Sequence, residues 1–165
     1  MMFRRHFLAL AAAGLAAACA PAADVAIPDG TSLIILRHAD RAGEDLNEKG
    51  IARSQALVTA LDGTGIDAIY SRDIQRNLDT AAPLAQARGL EVQIISDLNP
   101  TASLMTAGTG KTIVWVGNKG NLNTIWETLM LPGPPPLEYG DLYTVSRSAF
   151  GRPVVSRQRF GVGQE

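Results

Sequence analysis

The sequence contains a single cysteine, only two histidines, and almost no excess of charge of either sign. One cysteine cannot form an intramolecular disulfide, and it excludes a cysteine-rich metal site. The chain has 15 Lys plus Arg and 16 Asp plus Glu, which gives a formal net charge of −1. It therefore lacks the basic field that nucleic-acid binding requires. The 165 residues suffice for one domain with a sizeable core. Any chemistry of this domain must come from side chains other than cysteine.

The first residues have the features of a targeting peptide. Arg4 and Arg5 form a basic start, and residues 7–18 are an apolar stretch too short to span a bilayer comfortably. No other stretch of this kind occurs in the chain. We therefore predict a signal peptide over residues 1–18 that is removed on export from a bacterial cytoplasm; the general secretory and twin-arginine routes both fit the arginine pair.

Cys19 lies where the apolar stretch ends, and the residues before it are similar to the lipobox of bacterial lipoproteins. This position predicts lipidation at Cys19 and a membrane-anchored lipoprotein, with residues 19–30 as a tether rich in Ala, Pro, Asp and Gly. The alternative is cleavage after Ala20-Pro21-Ala22, which would leave a soluble periplasmic protein. We expect no membrane contact other than through such an anchor.

The rest of the chain, residues 31–165, alternates between strand-like and helix-like patterns. Residues 31–36 are a continuous apolar run typical of a strand buried on both faces, and residues 45–61 carry apolar side chains mainly at helical spacing. The alternation predicts one α/β domain, a three-layer sandwich with a mostly parallel sheet, helices on both faces and an antiparallel C-terminal strand pair. The predicted strands cover 31–36, 67–70, 91–95, 112–116, 142–147 and 153–160; the predicted helices cover 45–61, 71–89 and 122–131, with a weaker helix before the fourth strand.

Polar and cationic side chains follow three of the predicted strands. In a parallel α/β sheet, ligands bind at the carboxyl ends of the strands, where loops meet helix N-termini. Several cations and one histidine therefore meet at one edge, an arrangement suited to an anion such as phosphate. The side chains are Arg37, His38, Asp40 and Arg41 after the first strand, Ser71, Arg72, Asp73 and Arg76 after the second, and Asn118, Lys119 and Asn121 after the fourth.

These residues also carry a resemblance to a known family. The run Leu33-Ile34-Ile35-Leu36-Arg37-His38-Ala39-Asp40 resembles the opening strand and Arg-His motif of the histidine phosphatase superfamily, which has the phosphoglycerate-mutase-like fold. Three further blocks agree with that family in the same order. They are residues 46–52, residues 67–82 (DAIYSRDIQRNLDTAA), and the C-terminal pieces 140–143 and 159–161.

The resemblance implies a phosphoryl transfer in two steps. His38 would be the nucleophile that becomes a phosphohistidine, which water then hydrolyses. Arg37 and Arg76 would bind the phosphoryl oxygens and stabilise the transition state, with Ser71 as a neighbouring ligand. The implied partner is a small phosphorylated or otherwise anionic substrate. No cofactor and no metal is expected, because one histidine and scattered carboxylates do not give metal-ligand spacing.

Two departures from the family pattern bear on activity. Asn118 stands where the family has its second histidine, and an asparagine amide can donate a hydrogen bond but carries no charge. Lys119 could restore that charge. The region after the third strand has no Glu to protonate a leaving group, which leaves Asp97 as a candidate acid and Asp40 as another. The sequence therefore supports an exported histidine phosphatase with restricted activity, or an impaired member that binds an anionic ligand or a protein partner without turnover.

Overall fold

The computed structural model describes residues 25–161 of the chain. The predicted signal peptide, Cys19 and the first part of the predicted tether lie outside the described residues. None of the helices between residues 25 and 161 combines the length and the apolar character needed to cross a bilayer.

A six-stranded sheet with the order β5-β4-β6-β1-β7-β8 forms the middle layer. The first four strands in that order are parallel, while β7 pairs antiparallel with both β1 and β8. The predicted mixed sheet with an antiparallel C-terminal pair is confirmed. The strands are β1 (Ser32–Arg37), β4 (Ala68–Ser71), β5 (Val92–Ile94), β6 (Thr112–Gly117), β7 (Asp141–Arg147) and β8 (Pro153–Arg159), and a separate small hairpin contains β2 (Arg41–Ala42) and β3 (Asp45–Leu46).

Four helices cover the two faces of the sheet, which confirms the three layers. Successive strand residues point to opposite faces, so Leu33 and Ile35 of β1 join one apolar cluster and Ile34 and Leu36 join the other. The first cluster is completed by α3 and α4, and the second by α1 and α2. The helices are α1 (Glu48–Ala60), α2 (Gln75–Arg88), α3 (Thr101–Ala107) and α4 (Lys119–Thr128).

The predicted helix boundaries differ from the observed ones for local reasons. Helix α1 begins three residues later than predicted, because Asp45 belongs to the small hairpin and Asn47 caps the helix by accepting a hydrogen bond from the amide of Gly50 at 2.9 Å. Helix α2 begins at Gln75 rather than at residue 71, since Ser71 completes β4. Gly89 ends α2 in the left-handed conformation, with φ +63°, as predicted.

Packing against the domain begins within the predicted tether, before residue 31. Ile27 is 4% exposed and belongs to the cluster between the sheet and helices α3 and α4. Asp29 forms an ion pair of 3.0 Å with Arg147 at the end of β7. The last residues of the predicted tether therefore lie against the domain.

Candidate active site

Three parallel strands and one antiparallel strand bring the predicted residues to one edge of the sheet. In the register, Arg37 of β1 pairs with Gly117 of β6, and Ser71 of β4 pairs with Val116. Because β7 runs in the opposite direction, the segment just before it reaches the same edge. The carboxyl ends of β1, β4 and β6 and the amino end of β7 therefore meet at one edge of the sheet. The sequence predicts the first three of these contributions but not the fourth.

His38 lies at the centre of this edge and is 3% exposed. Its backbone amide donates a hydrogen bond to the carbonyl of Gly117 at 2.8 Å, which extends the β1–β6 ladder by one residue. Its Nδ1 is 2.8 Å from the carbonyl oxygen of Ala39. A carbonyl oxygen can only accept, so Nδ1 carries the proton in the neutral ring and the lone pair of Nε2 is left available.

The surroundings of His38 favour the neutral imidazole. The pKa of His38 is lowered from 6.5 to about 4, with burial as the largest cause. The hydrogen bond to Ala39 acts in the opposite direction, and the positive charges of Arg37, Arg76 and Arg41 add to the lowering. The ring is therefore uncharged at neutral pH. A neutral imidazole with a free Nε2 lone pair is the form that can act as a nucleophile.

Arg37 is held by the segment that precedes β7. Its guanidinium donates to the carbonyl of Leu137 at 3.0 Å and to the hydroxyl of Tyr139 at 3.1 Å. The same guanidinium lies 4.0 Å from the centre of the Tyr139 ring. The Tyr139 ring also lies 5.9 Å from the ring of His38, so this tyrosine orders the arginine and covers the histidine.

Arg76, on the first turn of α2, forms an ion pair with Glu44 from the turn of the small hairpin. Its side chain is 16% exposed, whereas the Glu44 side chain is 78% exposed and also lies 3.8 Å from Arg41. Gly43, beside Glu44, has φ +66°, a conformation that favours glycine and lets the chain reverse within two residues. The hairpin thus brings a carboxylate onto an arginine predicted to bind phosphate.

Two guanidinium nitrogens at this edge have no partner among the described residues. The Nε atoms of Arg37 and Arg76 are both buried without an acceptor. A buried cationic donor that lacks an acceptor is costly in the free protein and is satisfied when an anion binds. This edge of the sheet therefore offers donors for an oxyanion.

Two hydroxyl groups fix the backbone around His38. The Thr80 hydroxyl accepts from the Ala39 amide at 2.9 Å and donates to the carbonyl of Arg76 at 2.7 Å, so it joins the His38 loop to α2. Ser71, predicted as a phosphate ligand, is fully buried, and its hydroxyl lies 2.9 Å from the carbonyl of Arg72 and 3.2 Å from that of Val116. The Ser71 proton is thus used within the protein and ties β4 to β6.

Asp40, considered above as an acid, is engaged in a buried ion pair. Its carboxylate accepts from Arg53 Nε at 2.6 Å, and Arg53 also donates to the carbonyl of Phe160 at 2.7 Å. Both residues are less than 10% exposed. This pair connects the loop after β1, helix α1 and the C-terminal end of the domain.

Asn118 is the N-cap of helix α4. Its side-chain oxygen accepts from the Asn121 amide at 3.2 Å, and the Asn121 side chain accepts from the Asn118 amide at 3.0 Å. This reciprocal pair is a capping box, and it holds the positive end of the α4 dipole directly after β6. Lys119 is exposed on the first turn of the same helix. The side-chain nitrogen of Asn118, Nδ2, has no hydrogen-bond partner among residues 25–161 and is available to a ligand.

Asp97 lies in the exposed segment between β5 and α3, where its carboxylate accepts from the Ser103 hydroxyl. It pairs with none of His38, Arg37 or Arg76 in the described part of the chain. The carboxylate that does contact one of these three is Glu44. Between residues 25 and 161 no three His, Cys, Asp or Glu side chains are grouped so as to hold a metal ion.

Glu44 and Tyr139 are the two site residues that sequence reasoning missed. Glu44 stands in a short polar stretch with no periodicity, and its contact with Arg76 spans 32 residues. Tyr139 follows a proline-rich stretch and reaches Arg37 across 102 residues. The only available signal for Tyr139 was its place just before a strand predicted to run antiparallel at the sheet edge.

The chain matches the model of the histidine phosphatase superfamily (branch 1) over residues 33–131, which is more than half of its length. No curated protein matches it in sequence. Its fold is similar to that of several solved phosphatase structures. The protein histidine phosphatase SixA, complexed with tungstate, has a TM-score of 0.58 at 16% identity, with 78% of this chain and 97% of that chain covered.

Two further solved structures share the fold at similarly low identity. The mycobacterial glucosyl-3-phosphoglycerate phosphatase, in complex with inorganic phosphate, gives a TM-score of 0.57 at 15% identity, covering 80% of this chain and 97% of that chain. A phosphoserine phosphatase from Entamoeba histolytica, in complex with 3-phosphoglyceric acid, gives 0.57 at 18% identity, covering 81% and 98%.

The structure is an α/β fold with a cationic edge around a buried histidine. With the match over residues 33–131, the chain belongs to the histidine phosphatase superfamily, branch 1.

Proposed function

We propose that this protein is an exported histidine phosphatase that hydrolyses a phosphomonoester or a phosphohistidine through a phosphohistidine at His38. The observation that carries the proposal is the state of His38. Its Nδ1 donates to Ala39, its pKa is lowered to about 4, and it lies among Arg37, Arg41 and Arg76, whose charges act on it. A neutral nucleophile surrounded by cations is what attack on a phosphorylated substrate requires.

In the first step the Nε2 lone pair of His38 attacks the phosphorus, and the bond to the leaving group breaks. The Nε2–phosphorus bond places positive charge on the ring, which the Ala39 carbonyl stabilises through Nδ1–H. Arg37 and Arg76 offer unpartnered Nε donors for the phosphoryl oxygens. In the second step water attacks the phosphorus, the nitrogen–phosphorus bond breaks, and His38 returns to its neutral form.

Protonation of the leaving group limits which substrates suit this site. Asp40 is held by Arg53, and Asp97 is held by Ser103 away from the arginines. Leaving groups that depart without a strong acid, such as phenolates or the imidazole of a phosphohistidine, fit the site better than alkoxides do. We therefore expect phosphoramidates and aryl phosphates to be hydrolysed faster than alkyl phosphates.

The specific observation favouring a second function is the capping box of Asn118. The position of the family's second histidine is occupied by an uncharged residue whose oxygen is committed to α4. Loss of one charged donor at a phosphoryl transition state costs about 2 to 4 kcal/mol, a factor on the order of a hundred or more. An impaired member would bind a phosphorylated ligand or a partner without turnover.

A hydrolysis panel on the purified protein tests these functions. The substrates are p-nitrophenyl phosphate, a phosphohistidine peptide and an alkyl phosphate, and the variants are His38→Gln, Arg76→Gln and Asn118→His. Arg88→Gln serves as the control for Arg76, since it lies on the last turn of the same helix and donates to Leu61. We expect His38→Gln to abolish hydrolysis, Arg76→Gln to reduce it by about 10²–10³, and Arg88→Gln to leave it unchanged.

The outcomes separate the two functions. Wild-type hydrolysis that depends on His38 and gains little from Asn118→His supports the phosphatase and contradicts the impaired function. Phosphate binding without hydrolysis, with turnover appearing only in Asn118→His, supports the impaired function. The absence of both binding and hydrolysis contradicts both.

A further inference from the structure

Four exposed side chains form a patch of apolar and basic character far from the candidate active site. Phe150, in the turn between β7 and β8, is 93% exposed, and Met130, after α4, is 81% exposed. Arg147 ends β7, and Arg152 is exposed beside the start of β8. We call Met130, Arg147, Phe150 and Arg152 the amino-edge patch.

A small cavity of about 150 Å³ lies between Met130, which follows α4, and the turn between β7 and β8. Met130 and Arg147 of the patch line this cavity, together with Gly151. Residues 25–27, the first that the structure describes, line the same cavity. The N-terminal segment of the chain therefore joins the domain at the amino-edge patch.

The patch lies at the opposite end of the sheet from His38. Strand β7 is antiparallel to β1, with Ser32 paired to Ser146 and Leu36 paired to Leu142. Arg147 therefore lies level with the start of β1, while His38 follows its end. Six residues of strand at about 3.3 Å each place the patch roughly 20 Å from the histidine.

The sequence before residue 25 indicates which kind of surface contacts the patch. Residues 7–18 form the one long apolar stretch of the sequence, and only five residues, 20–24, separate Cys19 from Val25. The six residue steps from Cys19 to Val25 span at most about 20 Å when fully extended. An anchor at Cys19, or in residues 7–18, would hold this edge of the domain close to a bilayer surface.

We propose that the amino-edge patch docks on the surface of an anionic phospholipid bilayer, which is a membrane contact additional to the anchor expected from the sequence. Phe150 and Met130 enter the interface between headgroups and acyl chains, where aromatic and long apolar side chains are favoured. Arg152, which has no side-chain partner in the described part of the chain, contacts lipid phosphates. Arg147 does so more weakly, because Asp29 pairs with it at 3.0 Å. The candidate active site then faces away from the membrane.

Neither core packing nor the backbone conformation requires a methionine at residue 130. Met130 has φ +50°, the only positive φ at a non-glycine residue between residues 25 and 161. It occupies the left-handed position that ends α4, where Leu131 donates back to Trp126 at 3.0 Å. Glycine adopts this conformation without strain. A long apolar side chain at this position is exposed and adds no core contact, yet it lines the same cavity as Arg147 and Gly151.

The test measures the depth of the patch in the full chain. Cys19→Ser removes the native thiol and leaves residues 7–18 as the anchor in the tested chain. Ala149→Cys next to Phe150 accepts an environment-sensitive nitrobenzoxadiazole label. The control is the same label at Leu98→Cys, since Leu98 is 82% exposed and lies beyond the carboxyl end of β5, at the other edge of the sheet. The vesicles are phosphatidylcholine with and without phosphatidylglycerol, and doxyl lipids report contact with acyl chains.

We expect the label at 149 to shift to the blue and to be quenched by doxyl lipids, more strongly with phosphatidylglycerol, while the label at 98 keeps its spectrum in water. Two variants should reduce both signals: the double variant Phe150→Ser with Arg152→Glu, and the single variant Met130→Gly. Met130→Gly relieves backbone strain and so keeps the fold. Equal behaviour of the two labels overturns the proposal, as does a shift that appears without vesicles and rises with protein concentration, which would indicate a second copy. The proposal is independent of phosphatase activity, which Arg152→Glu should leave unchanged.

Discussion

The positions of Arg37 and His38 could be predicted from sequence because Arg37 ends a buried strand and His38 follows it directly. The end of such a strand in a parallel sheet is indicated by local pattern. Their partners could not be predicted in this way. The pairing of Glu44 with Arg76 depends on a hairpin of two-residue strands, which is too short to leave a periodic signal. Asp40 illustrates the converse, since it lies near His38 in the sequence but forms a buried ion pair with Arg53 in the structure.

The contact between Glu44 and Arg76 predicts competition with phosphate. Glu44→Gln removes the carboxylate that pairs with Arg76, so inorganic phosphate should bind more tightly. Because the Glu44 side chain is 78% exposed, solvent screens the pair, and the gain should be modest, about two- to fivefold. Calorimetric titration with phosphate measures it.

Glu48→Gln is the matched control for Glu44→Gln. It changes the net charge by the same amount and lies exposed on the first turn of α1, without a pairing to Arg76. Equal gains in the two variants would assign the effect to overall charge and contradict direct competition. An unchanged phosphate affinity in Glu44→Gln would show that the pair does not occupy the phosphate position.

At the scale of elements, the alternation of strand and helix patterns predicted the layers and the order of the elements, because each pattern is local. The starts of helices were less predictable, since they depend on caps. Asn118 shows this: its mismatch with the family pattern suggested only lost charge, while the structure adds a capping box with Asn121. The Asn118→His variant therefore also loses a helix cap, which costs about 1 kcal/mol.

Gly50 explains how α1 can lie against the His38 loop. A Cβ atom at residue 50 would come within 1.9 Å of the Asp40 carbonyl oxygen, although glycine is otherwise unfavourable in a helix. Gly50→Ala should therefore lower the free energy of unfolding by about 1 to 3 kcal/mol through overpacking. Denaturant titration measures this loss.

Gly65→Ala is the control for the close approach at Gly50. A Cβ atom at residue 65 meets nothing within 4 Å, so this variant should be neutral or slightly stabilising. If Gly50→Ala were as stable as Gly65→Ala, the contact between α1 and the Asp40 backbone would not be as close as described.

At the scale of the whole molecule, the two proposed sites lie at opposite ends of the sheet. The cationic edge around His38 lies at the carboxyl ends of β1, β4 and β6, and the N-terminal segment joins the domain at the opposite end. The three layers between these ends are apolar. Burying His38 costs free energy, and the packing of the whole domain offsets that cost. That cost makes the stability of the fold depend on pH.

The sign of this dependence follows from the lowered pKa of His38. The unfolded chain binds a proton near pH 6.5, whereas the folded chain binds it only near a pKa of about 4. Between these values the unfolded state holds more protons, so the free energy of unfolding should fall as pH falls, by about 3 kcal/mol from this group. Denaturant titrations at several pH values measure the change.

The variant His38→Gln should lack this part of the pH dependence. The difference between wild type and His38→Gln isolates the histidine, because the carboxylates that titrate in the same range are common to both. Parallel stability curves from pH 7 to pH 4 would contradict a buried, neutral His38.

The central claim is that His38 accepts a phosphoryl group, and the most direct measurement is detection of that group on the enzyme. Wild type mixed with p-nitrophenyl phosphate or a phosphohistidine peptide is quenched in base within milliseconds, and intact mass spectrometry looks for one added phosphoryl group that is stable in base and lost in acid. We predict this species on wild type, mapped to His38 by peptide fragmentation, and its absence from His38→Gln. Substrate turnover without a phosphoenzyme, or the same phosphoenzyme in His38→Gln, would contradict the mechanism.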